Sequence, residues 1–176
     1  MSMPLNLLDG FPRIKVLLSY WRMPLIGRPP IDQTMLEIAY VLAQRATCAK
    51  LAVGCVLVDT RYRIVGTGYN GNARGQTHCL EKPCPGRNAP RGSDLCEAIH
   101  AEQNALLTCH VPDDIHVCYT THAPCMRCTK LLLNTGCRNI VFANGDFTEP
   151  AAQRLWRSSD RCWFKYSGLA DSPRLS

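Results

Sequence analysis

The residues best suited to chemistry in this chain are His100, Glu102, Cys125 and Cys128, which sit in the stretches HAE and PCMRC. Cys125 and Cys128 follow Pro124, and proline is favoured in the first turn of a helix. Residues three apart on a helix share a face. Two thiolates there can grip one tetrahedral metal, and the helix N-terminus favours their negative charge. His100 opens another expected helix and is a candidate third ligand. Three protein ligands leave one position of a zinc ion open for water, which is the catalytic arrangement; structural sites close with four. Glu102 lies two residues past His100, so it points away from the histidine and toward the open side of the metal. A carboxylate there can take a proton from the water and return it to a substrate nitrogen. A CxxC alone also serves redox pairs, and a lone acid at a helix start is usually solvated and favoured by the dipole. The combination of the two motifs is what points to metal-assisted hydrolysis.

Several elements must position these groups. Asp32 is a plausible helix cap before MLEIAYVLAQRA, whose apolar residues recur at helical spacing. LAVGCVLVD and RIVGTGY read as two strands joined by a turn near residues 60–62. A helix is expected from about Glu97 to Thr108, a strand at IHVCYTT, and a helix from about Cys125 to Thr135. The strand NIVFAN, a helix around Ala151–Ser158 and a last strand CWFKYS complete the series. Strands alternating with helices predict an α/β sandwich with helices on both sheet faces. Residues 1–30, proline-bearing and without clean periodicity, read as an N-terminal extension. Residues 31–170 form the domain and 171–176 a C-terminal tail. Between Asn70 and Cys96 runs a loop rich in Gly, Pro, Arg and Cys, with its Cys-rich insert at about 71–96. A structureless loop that long is uncommon in a compact domain, so something must organise it.

The totals narrow the class of protein. A chain of 176 residues supports one domain with a sizeable core. Its 46% hydrophobic and 19% charged residues exclude wholesale disorder. No apolar run approaches the roughly 18 residues of a membrane span, and the N-terminal stretch lacks the pattern of a secretory signal. A cytoplasmic location is therefore expected. Eleven cysteines in such a setting mean metal binding or catalysis more often than disulfides. The net charge of +6 is spread along the chain, compatible with a phosphate-bearing partner and unlike a nucleic-acid-binding tail.

HAE with PCMRC resembles the H-x-E…P-C-x-x-C signature of zinc-dependent deaminases. With CAKLAVGCVLVD, GYNGNARG, HCLEKPC and LCEAIHAE, the chain resembles the deoxycytidylate (dCMP) deaminase family over roughly residues 33–168. The resemblance implies a cytidine deaminase-like three-layer α/β/α sandwich around a mixed sheet of about five strands. It also implies a catalytic Zn²⁺ on His100, Cys125 and Cys128, with Glu102 moving protons while water attacks C4 of cytosine. The product would be dUMP for thymidylate synthesis, from an enzyme that is typically hexameric, activated by dCTP and inhibited by dTTP, with Mg²⁺ accompanying the triphosphate.

Further site residues follow from the same resemblance. Asn70 is expected on the substrate sugar, and Tyr119, Thr120 and Thr121 on a pocket wall. Ala101 is small enough for its backbone to approach the base. Tyr69, Gly71 and Arg74 fall in the loop tied to nucleotide regulation, and the Arg74 guanidinium suits a phosphate. Some relatives carry a second, structural zinc at positions matching Cys48 and Cys79. Here Cys84 and Cys96 would complete a four-ligand site, with His78 as a substitute. Cys55, Cys109, Cys118, Cys137 and Cys162 fall largely in apolar runs and are expected to be buried as small hydrophobes.

Two rival functions share parts of this pattern. A deaminase of tRNA or another polynucleotide would keep the zinc core, but the GYNG turn, the insert and the lack of a clustered basic-aromatic surface favour a free nucleotide. A non-catalytic zinc module that binds nucleotides would have no need of Glu102.

Overall fold

The computed structural model describes residues 27–90, 93–145 and 149–168. Most of the expected N-terminal extension and all of the expected C-terminal tail lie outside these residues. The described chain runs α1 (Ile31–Ala43), β1 (Gly54–Val58), β2 (Ile64–Tyr69), α2 (Ala101–Thr108), β3 (Val117–His122), α3 (Met126–Leu133), β4 (Asn139–Asn144), α4 (Pro150–Arg157) and β5 (Cys162–Lys165). The strands form one sheet in the order β2-β1-β3-β4-β5. β1 pairs antiparallel with both β2 and β3, whereas β3, β4 and β5 run parallel. The expected mixed five-stranded sheet between helical layers is thus present.

Alternation along the strands sorts the core into two. Val56, Val58, Val117, Tyr119 and Val141 pack under α1 through its Met35, Leu36 and Ala39. Cys55, Leu57, Cys118, Ile140 and Phe142 face the other way, against α2, α3 and α4. All five residues of β1 are buried, as expected of a strand covered on both faces. Gly54 is required where α1 crosses it, because a Cβ there would lie 1.9 Å from the Ala39 carbonyl oxygen. Trp156 of α4 is fully buried and its Nε1–H donates to the Cys162 carbonyl (2.8 Å). That single side chain closes α4 over the sheet; burying one large apolar side chain is worth about 1.5–3 kcal/mol.

Three expectations need correction. Residues 97–100 are not helical: Ile99 forms a β-bridge with Gly71, and α2 begins only at Ala101 with His100 as its N-cap. Cys96 therefore belongs to the loop and not to a helix. Asp32 lies inside the first turn of α1 after the N-cap Pro30, and its carboxylate accepts from the Tyr119 hydroxyl instead of capping. Cys162 is exposed: it opens the edge strand β5 on the face opposite the buried Trp163.

Candidate active site

Two helix N-termini meet at one end of the sheet, and each contributes from its cap. His100 caps α2 in a reciprocal box: its side chain accepts from the Gln103 backbone, and the Gln103 side chain accepts from His100 N–H (2.9 Å). Cys125 is the N-cap of α3 and Cys128 lies in its first turn. His100 Nδ1 stands 3.4 Å from Cys125 Sγ and 3.4 Å from Cys128 Sγ. Ligands of one tetrahedral zinc should be about 3.6 Å apart for sulfur and nitrogen, given bonds of about 2.3 and 2.0 Å. The donor set fits that ion. Among the described residues, this is the one group of three or more His, Cys, Asp or Glu with donor atoms within 4.8 Å of one another.

Glu102 is buried and its carboxyl is within hydrogen-bonding reach of the Cys128 thiol. Burial pushes its pKa up, partly opposed by hydrogen bonding and by the nearby His100. The buried thiols of Cys55 and Cys118 lie 3.6 Å apart on the sheet, and the Glu102 charge helps push both of their pKa values up. Those thiols are themselves held protonated, Cys55 chiefly by burial and Cys118 chiefly by its hydrogen bond to Cys55. Cys125 is the opposite case, with hydrogen bonds from Cys128 and His100 holding it well below the usual thiol range. The same contact with Cys125 raises the His100 imidazole above its ordinary value, against the effect of burial. A pre-formed thiolate, an imidazole and a second thiol around one point suit a cation.

The GYNG turn sets where α2 begins. Gly71 exchanges both backbone hydrogen bonds with Ile99 (3.1 and 2.9 Å), the residue before His100. Gly68 admits α2 so closely that a Cβ there would stand 2.2 Å from the Ala101 carbonyl oxygen. The backbone of Tyr69 accepts from the Asn104 side chain (2.8 Å). Asn70 is buried with its amide already used, accepting from Val53 N–H (2.8 Å) and donating to the Leu51 carbonyl (2.7 Å). This turn therefore acts as a latch between residues 51–53, β2 and the start of α2. Arg74 lies exposed beyond it.

The three expected pocket-wall residues of β3 divide between the faces. Tyr119 is fully buried under α1 with its hydroxyl on Asp32 (2.6 Å), so its side chain does not line a pocket between α2 and α3. Strand alternation decides this, since Cys118 faces α2. Thr120 therefore faces the α2 side, and its buried Oγ1 has no hydrogen-bond partner among the described residues. Thr121 Oγ1 accepts from Gly54 N–H (3.2 Å) and meets His122 Nδ1 (3.1 Å). Ala101 is fully buried between His100 and Glu102.

The insert cysteines draw near one another without forming a group as tight as the first. Cys79 and Cys84 have sulfurs 3.7 Å apart, and Cys79 Sγ also accepts from Cys84 N–H (3.5 Å). Cys96 is electrostatically coupled to Cys48 and Cys84. Gly86 lets the insert fold against it, since a Cβ there would stand 2.4 Å from Cys96 Cα. His78 is exposed, with its Nδ1 3.6 Å from the Glu81 carboxylate. Asp94 of the insert pairs with Arg127, between the two catalytic cysteines in sequence. Sequence reasoning missed Glu149, whose Oε2 accepts from Met126 N–H (3.0 Å) at the start of α3. Its place before Pro150 at the start of a helix gave no hint of a contact with another helix.

Comparison with known proteins agrees with this geometry. The family described as "Cytidine and deoxycytidylate deaminase zinc-binding region" matches residues 29–144. The chain is 38% identical to a deoxycytidylate deaminase of Mycobacterium phage D29, over 66% of this chain and 97% of that protein. It is 36% identical to ComE operon protein 2 of Bacillus subtilis, over 73% of this chain and 67% of that one. Its fold is similar to that of the dCMP deaminase of cyanophage S-TIM5, solved with dCMP and dUMP. There the TM-score is 0.63 at 24% identity, over 80% of this chain and 99% of the other.

Proposed function

The chain belongs to the cytidine and deoxycytidylate deaminase family, and from that premise we propose that it hydrolyses dCMP to dUMP and ammonia. The observation that carries the reading is Glu102, buried beside a His/Cys/Cys group that fits one zinc ion. His100, Cys125 and Cys128 would hold the metal. When bound, zinc supplies a Lewis acid that lowers the pKa of water to about 7. Glu102 takes a proton from the attacking water and delivers it to the pyrimidine ring. It then transfers the second proton to the departing amine, so that water and dCMP become dUMP and ammonia. Burial raises the pKa of this carboxyl, which favours a group that must take a proton and give it back. Ala101 presents its backbone to the base, and Thr120 offers an unpartnered hydroxyl on the same side of the sheet. Asn70 contacts the sugar through whatever hydrogen-bonding capacity its two backbone contacts leave.

A second zinc would sit in the insert on Cys48, Cys79, Cys84 and Cys96, where it would order the loop and hold it against the start of α2. The closeness of Cys79 to Cys84 and the coupling of Cys96 to Cys48 and Cys84 support that site. Tyr69, Gly71 and Arg74 would carry regulation by dCTP–Mg²⁺ and dTTP in a homo-oligomer, expected to be a hexamer. The expected location is the cytoplasm, where thiols are kept reduced and available to hold zinc.

One assay tests the whole reading. Ammonia release is measured with dCMP, CMP, deoxycytidine, dCTP, tRNA and single-stranded DNA as substrates, the nucleotides with and without dCTP or dTTP as effector. Turnover of dCMP far above the others, sigmoidal and shifted in opposite directions by the two triphosphates, is expected. Activity on tRNA or single-stranded DNA with none on dCMP would refute the substrate. Hyperbolic kinetics indifferent to both triphosphates would refute the regulation.

A further inference from the structure

We infer that Glu149 is a positioning residue for the metal-binding end of α3, acting through its hydrogen bond to Met126 N–H; the inference rests on zinc binding at His100, Cys125 and Cys128. A helix leaves the N–H groups of its first turn without partners inside the helix. In α3 these belong to the residues that carry the two thiols. Cys125 is the N-cap of α3, yet its side chain makes no capping hydrogen bond. The Met126 N–H goes instead to Glu149 Oε2 at 3.0 Å. Met126 directly follows Cys125, so its peptide group orients the ligand. Deprived of Glu149, the half-buried Met126 N–H would lose its partner, and the peptide group that carries Cys125 would be free to turn.

Glu149 is well mounted for this task. It is the N-cap of α4, where its carbonyl accepts from Gln153 N–H (3.2 Å) and Pro150 follows with a fixed φ. α4 is in turn locked to the sheet by the buried Trp156. The carboxylate thus reaches from one rigid helix start to another. The reach of the side chain, more than its charge, is what the geometry demands, because the acceptor oxygen must span from the start of α4 to the Met126 N–H at the start of α3.

The test pairs two conservative variants. Glu149→Gln keeps the length and an acceptor oxygen but loses the charge; Glu149→Asp keeps the charge and shortens the reach. Zinc affinity is read by competition with a chromophoric chelator, and ligand geometry by the thiolate charge-transfer bands of the Co²⁺-substituted protein. With dCMP, kcat and KM are read at saturating zinc. Glu149→Asp is expected to weaken zinc binding by about 10–100-fold, as loss of groups that orient metal ligands does. It should also shift the Co²⁺ bands and lower kcat at near-constant KM, whereas Glu149→Gln should stay close to wild type in all three. Equal behaviour of the two variants, or a larger loss in Glu149→Gln, would overturn the inference. The wild-type titration comes first: a wild type that binds no zinc at these residues would overturn the proposed function along with it.

Discussion

Adding one methyl group at Gly68 should disable the site without touching any of its functional side chains. Gly68 lies in β2 opposite Cys55, and a Cβ built there would stand 2.2 Å from the Ala101 carbonyl oxygen, 2.4 Å from Ala105 N and 2.9 Å from Asn104 C. All three atoms are main chain, so no side chain can rotate out of the way. Ordinary contact begins near 3.4 Å, so α2 or β2 must retreat by 3.4 − 2.2 = 1.2 Å. β2 is held by its pairing with β1, which leaves α2 to move. Ala101 sits between His100 and Glu102, so that shift passes almost whole to both. A misplacement of about 1 Å can cost about 10²-fold in rate, and overpacking of this kind destabilises by about 1–3 kcal/mol. Gly68→Ala should therefore lose about 10²-fold in kcat/KM for dCMP at saturating zinc, with a lower Tm. Gly66→Ala is the informative comparison. Its Cβ would meet the Ala105 carbonyl oxygen at 2.5 Å, one turn further along α2. It should cost similar stability and less activity. Gly27→Ala, at positive φ with nothing within 4 Å, should leave turnover alone. Wild-type turnover in Gly68→Ala would refute the idea that the close approach of β2 and α2 sets the geometry of the site.

Glu102→Gln should lower kcat by about 10²–10⁴-fold, the usual contribution of general acid–base catalysis, while zinc content by atomic absorption stays at the wild-type level. Tyr119→Phe removes the 2.6 Å hydrogen bond to Asp32 and should cost about 1–2 kcal/mol in urea unfolding at pH 7. Burial first, and then the bond to Asp32, raise the Tyr119 pKa in the folded state. Its contribution is therefore whole below the unfolded tyrosine pKa of about 10 and is lost as pH rises beyond it. The gap between wild type and variant should narrow in that alkaline range and nowhere near neutrality. Trp156→Ala empties a fully buried site and deletes the bond to Cys162, so about 3–5 kcal/mol should disappear from the unfolding free energy. Removing the metal with a chelator should lower the Tm of wild type by an amount that zinc restores and that is smaller in Cys125→Ser, which has only the insert's zinc to lose.

The chemistry was legible in the sequence because it depends on residue types at short spacing. HAE and PCMRC state a metal donor set and a proton carrier within a few residues each, and helical periodicity with strand alternation gave the α/β/α layering. What spacing could not carry was which side of an element faces which neighbour. Tyr119 stood among three plausible wall residues, and only the register of β3 between β1 and β4 turned its ring under α1. The stretch CEAI looks helical by composition, yet a bridge from Ile99 to Gly71, distant in sequence, holds it extended and makes His100 a cap. Asp32 and Glu149 each look like ordinary acids at helix starts. One is claimed by a hydroxyl 87 positions away in sequence and the other by a backbone N–H of a different helix. Ligand identity is a local property of a chain, since a thiol is a thiol wherever it folds. Ligand placement is set by packing, and here by the absence of a side chain at Gly68 as much as by the presence of any.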